Sequence, residues 1–182
     1  MSIDAGTYTL GPDQAALTVK TGKIGAAAKA GHNLVIAVTA WEATVQVGAD
    51  GIPAGIALTA DASSLEVLEG SGGMQALGDE EKASIKQSID DEVLKRTAIE
   101  FRSTAITPGD EPGRLHVEGE LELGGTHRPI AFELALAPDG AITGSAIVTQ
   151  SAWGIKPFSI LFGTLKVADE VEVAVSATLR PG

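Results

Sequence analysis

The sequence predicts a mainly β protein, an antiparallel up-and-down barrel of about eight strands with one amphipathic helix inserted at about residues 79–96. Three observations carry this expectation. Apolar and polar residues alternate with period two along most of the chain, which puts every second side chain on one face of a strand. Gly, Pro and Asp cluster between the alternating runs, as turns require. Only "GDEEKASIKQSIDDEVLKR" switches to helical spacing. Closure is favoured because an open meander leaves unpaired edges, and a two-sheet sandwich is the competing arrangement.

Taken in order, Tyr8–Leu10 and Ala15–Lys20 supply one or two strands. In "LVIAVTAWEATVQV" the later half puts Trp41, Ala43, Val45 and Val47 on one side and Glu42, Thr44 and Gln46 on the other. Its first half, Leu34–Val38, is apolar on both faces, which calls for a bend, a bulge or cover from another element. "ADGIPAG" forms a turn, and Ile56–Ala60 continues as a strand. Gly70–Gly73, "GSGG", reads as a flexible connector, since no lysine follows to make a phosphate loop.

In the helix, Asp79 is the expected N-cap, Glu80 and Glu81 occupy the first turn, and Lys95 and Arg96 the last, as the helix dipole favours. Ile85, Ile89 and Val93 make a narrow apolar stripe. A strand follows in which Ile99, Phe101, Ser103 and Ala105 share a face. The rest is a four-run meander. Leu115, Val117, Leu121 and Leu123 oppose His116, Glu118, Glu120 and Glu122; "GGTHRP" makes a hairpin turn; Ile130, Phe132, Leu134 and Leu136 align. Ile142, Ala146 and Val148 follow, then Val171, Val173, Val175, Ala177 and Leu179.

At 182 residues the chain is expected to form a single domain, 1–182, large enough to bury a core without staples. It contains no cysteine, which excludes disulfides, thiol redox chemistry and Cys-containing zinc sites. With 24 Asp and Glu against 13 Lys and Arg, it would repel a phosphate backbone, so nucleic acid is not an expected partner. No run approaches the roughly 18 to 20 apolar residues of a transmembrane segment. The N-terminus shows neither a basic n-region nor an apolar h-region, so a cytoplasmic location is expected, or a periplasmic or secreted one if a leader was removed.

Candidate chemistry is sparse. His116 lies on the acidic outer face, His127 in the expected turn, and His32 in "AGHNL" just before a strand; no two share metal-ligand spacing. The Glu118, Glu120 and Glu122 row reads as a solvated strand face, and no Gly-x-Ser-x-Gly elbow presents a nucleophile. The expectation is a protein that is not an enzyme, with no metal and no cofactor. The alternative of a small enzyme or stress-related module acting on an apolar molecule rests on His32 as acid or base.

The most informative segment is "QSAWGIKPFSILFGTL", Gln150–Leu165, which gathers Trp153, Phe158 and Phe162 with a proline and two glycines. Three readings stay open: Phe158, Ile160, Leu161 and Phe162 line or cap the mouth of an apolar cavity, close one barrel end, or meet a twofold partner in a homodimer. An eight-stranded barrel is just wide enough to be filled by side chains or to hold a ligand.

The order of "YTLGPDQAALTV", "FRSTAI", "VEGELELGGTHRPIAFEL" and "SAWGIKPFSILFGTLKVADEVEVAVSATL" resembles that of the YceI-like polyisoprenoid-binding proteins. The resemblance spans nearly the whole chain. It implies a lipocalin-like barrel and a non-enzymatic role in binding, transport or storage of a long-chain isoprenoid or related apolar lipid, a quinone included. Trp153, Gly154 and Ile155 are carried over as ligand-binding residues from the family's aromatic-Gly-Ile segment. Strand phase adds Trp41, Phe101 and Phe132 as inward-facing candidates.

Overall fold

A computed structural model describes residues 3–73, 77–160 and 165–180. Three runs of chain at the N-terminal end each form a long strand bent in its middle. The first comprises β1 (Gly6–Leu10) and β2 (Ala16–Thr21), followed by a short β3 (Lys23–Ile24). The second comprises β4 (Asn33–Val38) and β5 (Trp41–Val47), the third β6 (Pro53–Ala60) and β7 (Leu65–Ser71). Helix α1 (Asp79–Ser88) comes next and runs into a π-helical turn, Ile89–Val93. Then follow β8 (Ile99–Pro108), β9 (Arg114–Leu123), β10 (Thr126–Leu136) and β11 (Ala141–Thr149). The last strands are β12 (Ser159–Ile160), β13 (Leu165–Val167) and β14 (Glu170–Thr178).

Eleven of these segments pair in the order β1-β5-β6-β8-β9-β10-β11-β14-β2-β4-β7. The two ends of that order belong to runs already inside it, because β1 continues into β2 and β7 continues from β6. Counted as bent strands, eight antiparallel strands close in chain order. The last pairs with the first through Val173↔Val19, and β6 reaches β8 across the helical insert through Leu58↔Phe101. This is the up-and-down barrel that the alternation predicts. β12, β13 and β3 form a separate three-stranded flap.

The three bends lie side by side in the wall. Asp61 N donates to Ala40 O and Thr39 N to Ser64 O, so pairing carries on through the bends. The Asp61 carboxylate accepts from the amide and hydroxyl of Ser63, which holds the tight turn Ala62–Ser64. Each bend changes the inward phase: Leu34, Ile36 and Val38 are buried before it, Trp41, Ala43 and Val45 after it. Before the bend Leu34, Ile36 and Val38 face inward, while Val35 and Ala37 on the other face of β4 are half-buried.

Several local expectations are corrected. The hairpin turn is Gly124–Gly125 alone, and Thr126 and His127 already belong to β10, where glycine's freedom to adopt positive φ makes a two-residue turn sufficient. Gly70 and Ser71 close β7, a strand whose short alternation was hidden by its glycine-rich end. The helix N-cap is Gly78, and Asp79 is the first helical residue. The regular helix stops at Ser88, and Lys95 and Arg96 are left-handed, with φ of 53° and 55°, outside the last turn. In β8 a bulge between Ser103 and Ala105 ends the shared face at Ser103, whose hydroxyl accepts from Ile56 N at 2.8 Å.

The connections are polarised. Residues 48–52, 109–113 and 137–140 are short turns at one end; the other end carries the long connections 22–32, 72–98 and 150–169 beside the tight turn Gly124–Gly125. The short-turn end is packed solid around Tyr8, Val47, Leu115, Val117 and Leu179, with Val117 fully inaccessible. The other end is hollow. No helix among the described residues is long and apolar enough to cross a membrane.

Candidate functional site

Inward-facing residues of all eight long strands surround a cavity of about 700 Å³. Leu17 and Val19 contribute from β2, Leu34, Ile36 and Val38 from β4, and Trp41, Ala43 and Val45 from β5. Phe101, Leu121, Phe132, Leu134, Val148, Val171, Val173 and Val175 complete much of the wall. The volume falls inside the roughly 300–1,000 Å³ range of small-molecule sites. Val171, Val173 and Val175 point inward and are still only half-buried, because the space in front of them is not filled by other side chains. Their counterpart at the packed end, Val117, has no accessible surface.

The mouth lies between two lips. One is α1 with its π turn and the residues just before it, which present Leu77, Ile85, Ile89 and Val93 to the cavity, with Glu81, Ser84 and Ser88 at the edge. The helix buries none of its side chains completely, so its apolar stripe has the cavity as its partner. Asp90, in the π turn, is buried and ion-paired to Lys86 at 3.2 Å, and Lys86 also donates to Ser63 O at 2.6 Å, tying the helix to the β6–β7 bend. The other lip is the flap, which contributes Leu165, Lys166 and Val167 beside Lys23, Gly31 and His32. Lys23 donates to Gly31 O at 2.8 Å and to Gly72 O, linking the flap to the end of β7. A polar rim therefore encloses an apolar interior.

Five of the expected ligand-binding residues face the cavity: Trp41, Phe101, Phe132, Ile155 and Phe158. Phe101 and Phe132 stack obliquely, with ring centroids 5.5 Å apart. Gly119, on β9, makes room for this pair, since a Cβ there would collide with the Phe101 ring. Trp153 is buried in the wall and not on the cavity, and its Nε1 donates to Leu121 O at 2.9 Å. Gly154 caps the short helical turn Gln150–Trp153 in the left-handed conformation, φ 74°, and so turns Ile155 inward. Ile160 lies in β12, its side chain outside the described set, and Leu161 and Phe162 fall outside the described residues.

Sequence reasoning favoured aromatics and so passed over most of the aliphatic wall and the helix stripe, although the same period-two and period-four spacing marks them. Among the described residues, two buried polar atoms lack a hydrogen-bond partner: Trp41 Nε1 and Asp90 Oδ1.

His32 sits at the rim, half-buried, with Gly70 and Gly73 packed against its ring. His116 and His127 are on the outer surface, each between two carboxylates. His116 meets Glu133 at 2.5 Å and Glu118 at 3.8 Å, and His127 meets Glu120 at 3.2 Å and Glu122 at 3.4 Å. The hydrogen bond to Glu133 raises the His116 pKa above its ordinary value. No cluster of His, Asp or Glu suited to a metal ion occurs among the described residues.

No curated protein matches the sequence of this chain. Among solved structures it is similar to Burkholderia cenocepacia BcnA, with a TM-score of 0.66 and 16% identity, over 91% of this chain and 96% of that one. It is also similar to the Campylobacter jejuni YCEI protein, with a TM-score of 0.53 and 12% identity, over 80% of this chain and 85% of that one. At such identities the likeness is one of fold. The model of the YceI-like domain matches residues 8–179, from the inward Tyr8 of the first strand to the buried Leu179 after the last, and the chain belongs to that family.

Proposed function

We propose that the protein binds a long-chain isoprenoid or a related apolar lipid in the barrel, as a carrier or store, without chemical change to it. One observation carries this reading: a cavity of about 700 Å³ walled by aliphatic and aromatic side chains, with a polar rim at its mouth. Such a site takes an apolar chain out of water and leaves a polar head at the mouth. At about 30 Å³ per non-hydrogen atom the cavity accommodates on the order of twenty carbons, or roughly four isoprene units. At ~0.3 kcal/mol per atom their burial supplies ~6 kcal/mol, a Kd in the tens of micromolar before any contact with the head group. The family is one of binding domains, which agrees with this reading, and the mechanism requires only burial.

The test is mass spectrometry of organic extracts of the purified protein, together with titration of added polyprenyl lipids. Co-purified or titrated prenyl lipid is expected. Clean extracts together with no uptake of added lipid would defeat the proposal. The two tryptophans supply an internal reporter. In a Trp153→Phe variant the remaining Trp41 emission should shift on lipid uptake, whereas in Trp41→Phe the emission of Trp153, which is buried and does not line the cavity, should stay constant.

A further inference from the structure

The chain is strongly acidic, and its charge is unevenly placed. Residues 14–41 and 140–168 contain no Asp or Glu and carry five lysines, in a chain with 24 carboxylates and 13 Lys and Arg. The fold brings these two distant stretches together. β13 pairs with β3 through Lys166↔Ile24 and Val167↔Lys23, and β12 pairs with β13 through Ser159↔Lys166. The short helical turn Ala28–Ala30, which carries Lys29, packs on β13. The flap at the cavity mouth is therefore a basic surface on an acidic molecule.

Two of these five lysines face other groups. Lys23 donates to backbone carbonyls, and Lys20 stands across from Glu172 in the β2–β14 ladder. Lys29, Lys156 and Lys166 are exposed. At the flap, Lys156 and Lys166 border a shallow depression with Ile24, Pro157, Ser159 and Asp169. The single carboxylate there, Asp169, accepts from the amide and hydroxyl of Ser151. Ile24 is 49% exposed, one of only three large hydrophobics so exposed among the described residues. An exposed aliphatic side chain beside two exposed lysines, with the one nearby carboxylate hydrogen-bonded to Ser151, is the chemistry that suits an anionic bilayer surface, where headgroups take the cations and the interface takes the isoleucine.

We propose that the flap docks the barrel, mouth first, on an anionic lipid membrane. The overall negative charge does not prevent this. Near physiological ionic strength charges act over roughly 8–10 Å, so the lysines at the contact outweigh carboxylates farther along a barrel tens of ångströms long. The opposite lip, α1, carries Asp79, Glu80 and Glu81 in its first turn, so the flap is the basic side of the mouth. The flap adjoins the cavity through Leu165, Lys166 and Val167, so a docked barrel holds its mouth at the interface where an apolar lipid is exchanged.

The experiment is flotation of the protein with vesicles of phosphatidylcholine alone or mixed with phosphatidylglycerol, neither containing prenyl lipid. Binding is expected to the mixed vesicles only, and to fall sharply near 1 M salt, where the screening length is ~3 Å. Charge reversal of Lys29, Lys156 and Lys166 should weaken binding about fivefold per lysine or more, with the melting temperature unchanged. Reversal of Lys82 and Lys95 on the helical side should have no effect. Equal binding to both vesicle types, no binding to either, or equal sensitivity to both sets of substitutions would overturn the proposal. Vesicle association is read without cargo, so its failure is distinguishable from failure of the lipid-binding reading.

Discussion

Trp41 and Trp153 carry the same side chain and have different physical situations. Trp153 satisfies its indole N–H on Leu121 O, while Trp41 is buried at the wall bend with its N–H unpartnered among the described residues. An unmade buried hydrogen bond costs about 1–3 kcal/mol, comparable to the packing lost when indole becomes phenyl. Trp41→Phe should therefore leave the melting temperature nearly unchanged, whereas Trp153→Phe loses both packing and the hydrogen bond and should destabilise by about 2 kcal/mol or more, read by thermal or urea denaturation. The surface histidine His116 supplies a pH effect. Its hydrogen bond to Glu133 raises its pKa from 6.5, so the pairing stabilises the fold fully below that value, and the contribution is lost as pH rises through the higher folded pKa. Compared with Glu133→Gln, the native chain should melt higher at about pH 5, with the gap closing toward about pH 9, and NMR titration of His116 should show its pKa fall in the variant.

At the scale of elements, the helix is the part whose stability and function separate most cleanly. Its stripe of Ile85, Ile89 and Val93 faces the cavity, and none of the side chains of α1 is fully buried. Charge placed there meets lipid or cavity space and not a packed core. Ile85→Asp with Ile89→Asp should lower affinity for a prenyl lipid at least tenfold while costing about 1–2 kcal/mol of stability, since only half-buried methyl groups are lost. Lipid titration beside a denaturation curve would check both. The helix also shows how a local signal can point one residue away. Asp79 is a good capping residue, but an extended Gly78 precedes it and takes the N-cap position, leaving Asp79 to favour the helix dipole from the first turn. The long bent strands teach a similar lesson. Period-two spacing identified Trp41–Val47 as a strand facing one way, and the both-faced Leu34–Val38 signalled a bend. Only the pairing of Thr39 with Ser64 and Ala40 with Asp61 placed the bends of neighbouring strands side by side.

For the whole molecule, the decisive quantity is empty volume. A barrel packed throughout would resist larger inward side chains, with a cost of about 1–3 kcal/mol for each overpacked site. The hollow end predicts the opposite. Ala146→Phe with Val173→Phe should fill the cavity, keep or raise the melting temperature, and abolish uptake of added polyprenyl lipid; a large drop in stability would mean that the wall is already packed. Alternation, turn residues and charge pattern determined the mainly antiparallel β class, the helical insert, the outward acidic rows and the inward phase of most strands, because these depend on neighbours two to four residues apart along the chain. The tertiary structure alone decided that Trp153 lies in the wall, that Ile155 turns inward, that aliphatic residues from eight strands converge on one space, and that two carboxylate-free stretches meet in a basic flap. Those outcomes depend on which residues distant in the chain come to lie opposite one another, and on how far side chains fall short of filling the space between them, and neither is written in local spacing.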